Sequence, residues 1–98
     1  MIYLDNAATT PVYIDAAKAA EQVYLDVFYN PSSTYPGGIA AKKLINEARK
    51  TVASALNCSP NAIYFTSCAT EANNWALNCG LKNKKGNLVV GSGEHACV

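Results

Sequence analysis

Between Val12 and Val27 the apolar residues Ala16, Ala19, Ala20, Val23 and Val27 recur at helical spacing, with Lys18, Glu21, Gln22 and Asp26 outside the stripe. This predicts a first amphipathic helix. A stronger period runs from Ile39 to Leu56, where Ala41, Leu44, Ile45, Ala48, Val52 and Leu56 share one face and Lys42, Lys43, Glu47 and Lys50 lie away from it. Asn57 to Pro60 ends that helix. Ala62 to Thr66 then reads as a strand, Ala69 to Leu81 as a helix with the small stripe Ala69, Ala72, Ala76 and Gly80, and Leu88 to Gly91 as a second strand after Gly86-Asn87. Strand, helix, strand in that order predicts an α/β class with a parallel layer, although two short strands make a poor sheet by themselves.

The breaks between these elements carry their own pattern. Asp5-Asn6-Ala7-Ala8-Thr9-Thr10-Pro11 is a loop of small and polar residues, and Thr10 is biased away from helix by the proline after it. Asn30-Pro31-Ser32-Ser33 is a turn, which Pro36-Gly37-Gly38 prolongs before the next helix. Two such loops in so short a chain point to function as well as to connection.

The junction at Phe65-Thr66-Ser67-Cys68-Ala69-Thr70-Glu71-Ala72-Asn73-Asn74 runs an apolar stretch directly into small hydroxylated residues that open a helix. A helix start leaves its first N–H groups unpaired at the positive end of the dipole, so an anion is readily held there. Ser67 and Thr70 add hydroxyl donors. Ser and Thr also cap helices that bind nothing, and local physics does not separate the two readings.

Composition narrows the class of partner. The 98 residues are 50% hydrophobic with a net charge of +1, which fits a small globular chain and excludes an electrostatic basis for binding nucleic acid or an anionic membrane. Lys82, Lys84 and Lys85 cluster where a helix should end, as a solvated turn that complements the dipole. No apolar run approaches bilayer length and Met1 to Asp5 lacks a secretory pattern, so a cytoplasmic location is expected. Cys58, Cys68, Cys79 and Cys97 are irregularly spaced, without a CxxC pair and with one histidine, so reduced thiols and no metal site are expected.

Taken in order, Tyr3 to Pro11, Asn30 to Ser33, Phe65 to Asn74 and Glu94-His95 resemble the cysteine desulfurase family, pyridoxal-phosphate enzymes of the class V aminotransferase group. The resemblance runs from end to end and implies a fold-type I fragment: N-terminal helices plus a strand-helix-strand piece of the large-domain sheet. Residues 1–38 would carry the first helix and active-site loops, and residues 39–98 would begin the cofactor-binding domain. Selenocysteine lyases and other class V aminotransferases resemble it closely too.

By this resemblance, Ala69 and Thr70 hold the cofactor phosphate, His95 lies over the cofactor ring and assists proton transfer, and Ala8, Thr9 and Asn30 belong to substrate-side loops. The bland readings of the same residues are helix capping, a surface histidine and turn chemistry. The family usually has glycine where this chain has Cys68, which would strain the backbone if that position needed φ > 0. The resemblance also implies L-cysteine as substrate, sulfur-acceptor proteins and a homodimer. Its cofactor-holding lysine, pyridinium-pairing aspartate, substrate-binding arginine and persulfide cysteine have no counterparts among these residues, so the expectation is an N-terminal portion that is inactive alone. The alternative from a different class is a non-catalytic interaction or regulatory module. The family's strands matching Ala62 to Thr66 and Leu88 to Gly91 are not neighbours, so each depends on strands from elsewhere.

Overall fold

The long helix starts earlier than its hydrophobic period predicts, because Pro36 is suited to a helix's first turn, where a missing N–H costs nothing. The structure is a computed structural model that describes residues 2–82 and 86–98; Lys84 and Lys85 of the expected basic turn lie outside the described residues. Among the described residues there are three α-helices, α1 (Ile14–Asp26), α2 (Pro36–Ala55) and α3 (Ala69–Leu81), with a 3-10 turn at Pro60–Ala62. They fall into two units, Met1–Pro60 and Asn61–Val98.

In the first unit, α1 begins two residues after the predicted Val12, behind an extended Tyr13. The stop of α2 is a Schellman-type end: Asn57 adopts φ 51°, its N–H donates to Ser54 O at 3.2 Å, and the Cys58 N–H donates to Ala53 O at 2.9 Å. Between the helices, the turn at Asn30 packs against the start of α2. The Asn30 side-chain oxygen accepts the Ser32 N–H at 2.9 Å and its carbonyl accepts the Ser33 N–H at 3.0 Å. Gly38 is buried under this turn, and Gly37 lies under the Tyr29 ring, which also stacks on Phe28 at 4.3 Å. Among the described residues the buried apolar side chains are Ala41 and Ala53, so most of the α2 stripe, including Leu44, Ile45 and Val52, stays partly open.

In the second unit the expected helix from Ala69 to Leu81 is present with those bounds. The expected strands are not. No strand occurs among the described residues: Ala62 belongs to the 3-10 turn, and residues 63–66 and 88–91 have no regular secondary structure. This corrects the predicted strand-helix-strand fragment, and the cause is physical: a strand exists only through its ladder, and apolar content cannot substitute for a neighbouring strand. Residues 62–66 instead run alongside α3. Tyr64 meets Trp75 edge to face at 5.4 Å, and an open, mainly apolar groove of about 480 Å³ lies between Thr66, Ala72, Ala76 and Cys79. No helix among the described residues is long and apolar enough to cross a membrane.

Candidate functional site

The start of α3 is organised by three consecutive residues and a fourth that folds back. Cys68 precedes the helix with φ −165° and ψ 170°, an extended backbone that any residue adopts, so a side chain at the family's usual glycine position causes no strain. The Ala72 N–H is bonded back to Cys68 O at 3.2 Å, which leaves the N–H groups of Ala69, Thr70 and Glu71 without partners inside the helix. Glu71 turns back onto Ser67, accepting its N–H and its hydroxyl, each at 2.7 Å. This resembles a capping box displaced by one residue. These bonds hold the Glu71 carboxyl below the usual carboxylate range, the hydroxyl contributing more than the N–H.

The Cys68 thiol lies at the same helix end. The Glu71 N–H, the Ser67 hydroxyl at 3.8 Å from Sγ, and Thr70 favour its thiolate, so its pKa falls below that of an ordinary thiol. Cys68 makes no completed capping hydrogen bond to the helix. The thiol is an exposed group beside the helix start.

His95 lies in the same unit, in a loop tied to α3. The Asn73 amide donates to Cys97 Sγ at 3.1 Å, and the Asn74 amide donates to Cys97 O at 3.4 Å and to Thr70 O at 2.9 Å. The Cys97 N–H donates to His95 Nδ1 at 3.2 Å, and the Val98 N–H closes the turn on His95 O at 3.0 Å. Ala69 and Thr70 thus share one helix with the two asparagines that anchor the His95 loop. The asparagines, Cys97 and Glu71 were not recognised as site residues from sequence. Asn73-Asn74 stood inside the recognised phrase, but their partner is 24 and 23 positions away, beyond any local periodicity.

The other expected site residues lie in the first unit. Ala8 and Thr9 sit in a turn whose N–H groups donate to Asp5 O at 3.1 and 3.4 Å. The Tyr3 hydroxyl lies 2.8 Å from Asp5 O and 3.0 Å from Thr9 O, so its one proton latches both sides of the turn. Asn30 spends its side-chain oxygen on its own turn, through the Ser32 N–H.

The fit of a phosphate to these residues can be tested on the helix start itself. The N–H groups of Ala69 and Thr70 and the Thr70 hydroxyl supply donors at the positive end of a helix of 13 residues, with the Glu71 carboxylate folded back onto Ser67. The residues fit the phosphate end of pyridoxal phosphate. Among the described residues no group of three or more His, Cys, Asp or Glu could hold a metal ion.

Comparison with known proteins gives the same family. The chain is 42% identical to the cysteine desulfurase IscS of Methanosarcina thermophila over 99% of its own length and 25% of that relative's. It is 41% identical to the mitosomal cysteine desulfurase of Encephalitozoon cuniculi over 99% of its length and 24% of the relative's. Identity to the selenocysteine lyase of Xenopus tropicalis is 45%, over 84% of this chain and 19% of that relative. The chain therefore spans about a quarter or less of the length of these relatives. No solved structure matches it. Aminotransferase class-V matches residues 2–98, and with the helix start and the His95 loop in view, the chain belongs to that family.

Proposed function

We propose that this chain is the N-terminal, phosphate-holding part of a pyridoxal-phosphate-dependent cysteine desulfurase. Class V aminotransferases and cysteine desulfurases are pyridoxal-phosphate enzymes, and the likeness to desulfurases over nearly the whole chain supports the narrower reading. The single observation that carries it is the start of α3. There the family's phosphate-holding positions, Ala69 and Thr70, coincide with helix donors that have no intrahelical acceptor, behind an unstrained Cys68.

In this reading Ala69 and Thr70 bind and orient the phosphate, and Thr70 adds its hydroxyl. His95 would assist proton transfer at the cofactor, and by the family resemblance Ala8, Thr9 and Asn30 would belong to substrate-side loops. When bound, the cofactor supplies an electron sink for bond breaking at the substrate. The overall reaction takes L-cysteine to L-alanine and leaves sulfur as an enzyme persulfide, which acceptor proteins take up for iron-sulfur cluster or thio-cofactor assembly. The lysine and the persulfide cysteine that this reaction needs come from a further part of the enzyme. The complete enzyme is a homodimer in the cytoplasm, and this chain alone is inactive.

Titration of the chain with pyridoxal phosphate, read by the fluorescence of its one tryptophan, Trp75, tests the reading. Saturable quenching that weakens in Thr70→Ala supports it; equal binding by Thr70→Ala overturns it. A second reading, selenocysteine as substrate, is favoured by the 45% identity to the Xenopus tropicalis selenocysteine lyase. Supplementing the complete enzyme with each amino acid and measuring alanine release distinguishes the two.

A further inference from the structure

Asn73 and Asn74 follow the phosphate-holding residues on α3, yet the function described so far gives them nothing to do. Their two amides reach the same residue from adjacent positions on the helix. Asn73 Nδ2 lies 3.1 Å from Cys97 Sγ, and Asn74 Nδ2 lies 3.4 Å from Cys97 O. The Asn74 amide has two N–H donors, so its bond to Thr70 O at 2.9 Å coexists with the one to Cys97. Cys97 is thereby held at its side chain and at its carbonyl. Its third polar group, the N–H, donates to His95 Nδ1 at 3.2 Å.

A nitrogen that accepts an N–H carries a lone pair, so a neutral His95 ring must bear its proton on Nε2. We propose that Asn73 and Asn74 are positioning residues for His95, acting through Cys97 to hold its neutral imidazole as the Nε2–H tautomer. The ring's one available lone pair is then occupied at Nδ1. Neutral His95 offers a proton at Nε2 and is a hydrogen-bond donor there. The Val98 N–H on His95 O at 3.0 Å, which fixes the backbone of the same turn, keeps the imidazole and the Cys97 N–H in register.

The donor role at a cofactor rests on the reading proposed above, whereas the tautomer is a property of the chain with no cofactor present. Because the protein has one histidine, a two-bond ¹H–¹⁵N correlation spectrum of the ¹⁵N-labelled chain, recorded where the ring is neutral, reports His95 alone. The expected result is one tautomer, with Nδ1 unprotonated and Nε2 protonated. The double variant Asn73→Ala/Asn74→Ala is expected to lose that single tautomer and give a mixture, while Cys97→Ser, which keeps both an acceptor and the N–H, retains it. An Nδ1–H ring or a mixture in the parent chain overturns the proposal, as does an unchanged spectrum in the double variant.

Should removal of both asparagines melt α3, Cys97→Pro deletes the N–H donor directly and decides the matter: loss of the single tautomer supports the lock and its retention overturns it. Pyridoxal phosphate binding, followed separately through Trp75, keeps the two ideas apart. A locked tautomer without binding contradicts the proposed function only, and binding with a mixed tautomer contradicts the lock only.

Discussion

Glu71 closes the start of α3 on Ser67, its carboxylate accepting both the N–H and the hydroxyl of that residue at 2.7 Å. The pair satisfies polar groups just ahead of the helix and keeps the carboxylate ionised at the helix's positive end.

Glu71 has its pKa lowered by the Ser67 hydroxyl and N–H, so it is more acidic folded than unfolded. Its stabilisation is present above the unfolded pKa and is lost as pH falls through the lower, folded value. The Trp75 near-ultraviolet signal on α3 should therefore weaken in acid. In Glu71→Gln that acid-dependent loss should shrink, and an identical acid titration would show that the carboxylate is not the group responsible.

The Cys68 thiol should alkylate with a pH midpoint below that of an ordinary thiol, because the Glu71 N–H, Ser67 and Thr70 favour its thiolate. Peptide mapping by mass spectrometry after timed iodoacetamide treatment follows this residue individually. Since Cys68 adjoins the proposed phosphate donors, saturating pyridoxal phosphate should slow the reaction. A rate that ignores the cofactor would place binding elsewhere.

Two glycine-to-alanine changes should act in opposite directions. A Cβ at Gly38 would stand 2.6 Å from Ser33 O and 2.8 Å from Asn30 O, both backbone atoms that cannot swing away. Gly38→Ala should therefore cost about 1–3 kcal/mol through overpacking, despite alanine's better helix propensity. Gly80, in the last turn of α3, has nothing within 4 Å of that position. Gly80→Ala should stabilise by up to about 1 kcal/mol, and urea titrations followed by circular dichroism check both signs.

Asn57 ends α2 at φ 51°, a conformation that a β-branched residue resists. Asn57→Val should destabilise the first unit by about 1–2 kcal/mol, while Asn57→Gly should be neutral or stabilising. Thermal melts of the two variants beside the parent measure the difference. Equal loss in both would mean that the asparagine side chain, and not the backbone conformation, makes the stop.

Local rules found the helices and misjudged what depends on distant partners. The bounds of α3 were legible because Ser67, Cys68 and Ala69 change the pattern abruptly at its start. The start of α2 is less legible, since Pro36-Gly37-Gly38 looks like a break; Pro36 instead opens the helix, and Gly38 supplies the close approach that the Asn30 turn requires. Residues 62–66 and 88–91 have strand-like composition but no strand structure, because pairing is not a property of a segment alone. Within the site, the helix start could be read from residue types, whereas the tie from Asn73 to Cys97 depends on a chain reversal across 24 positions. Cys68 shows the converse: its side chain suggested strain, and its extended backbone removes it.

Fluorescence titration of Trp75 with pyridoxal phosphate, using the parent chain, Thr70→Ala and inorganic phosphate as competitor, tests the proposed phosphate site most directly. Saturable quenching is predicted, with affinity lower by roughly tenfold or more in Thr70→Ala, as expected for loss of a hydrogen bond to a charged group, and with pyridoxal phosphate preferred over inorganic phosphate. Equal affinity of Thr70→Ala and the parent, or no saturable quenching in either, would contradict it.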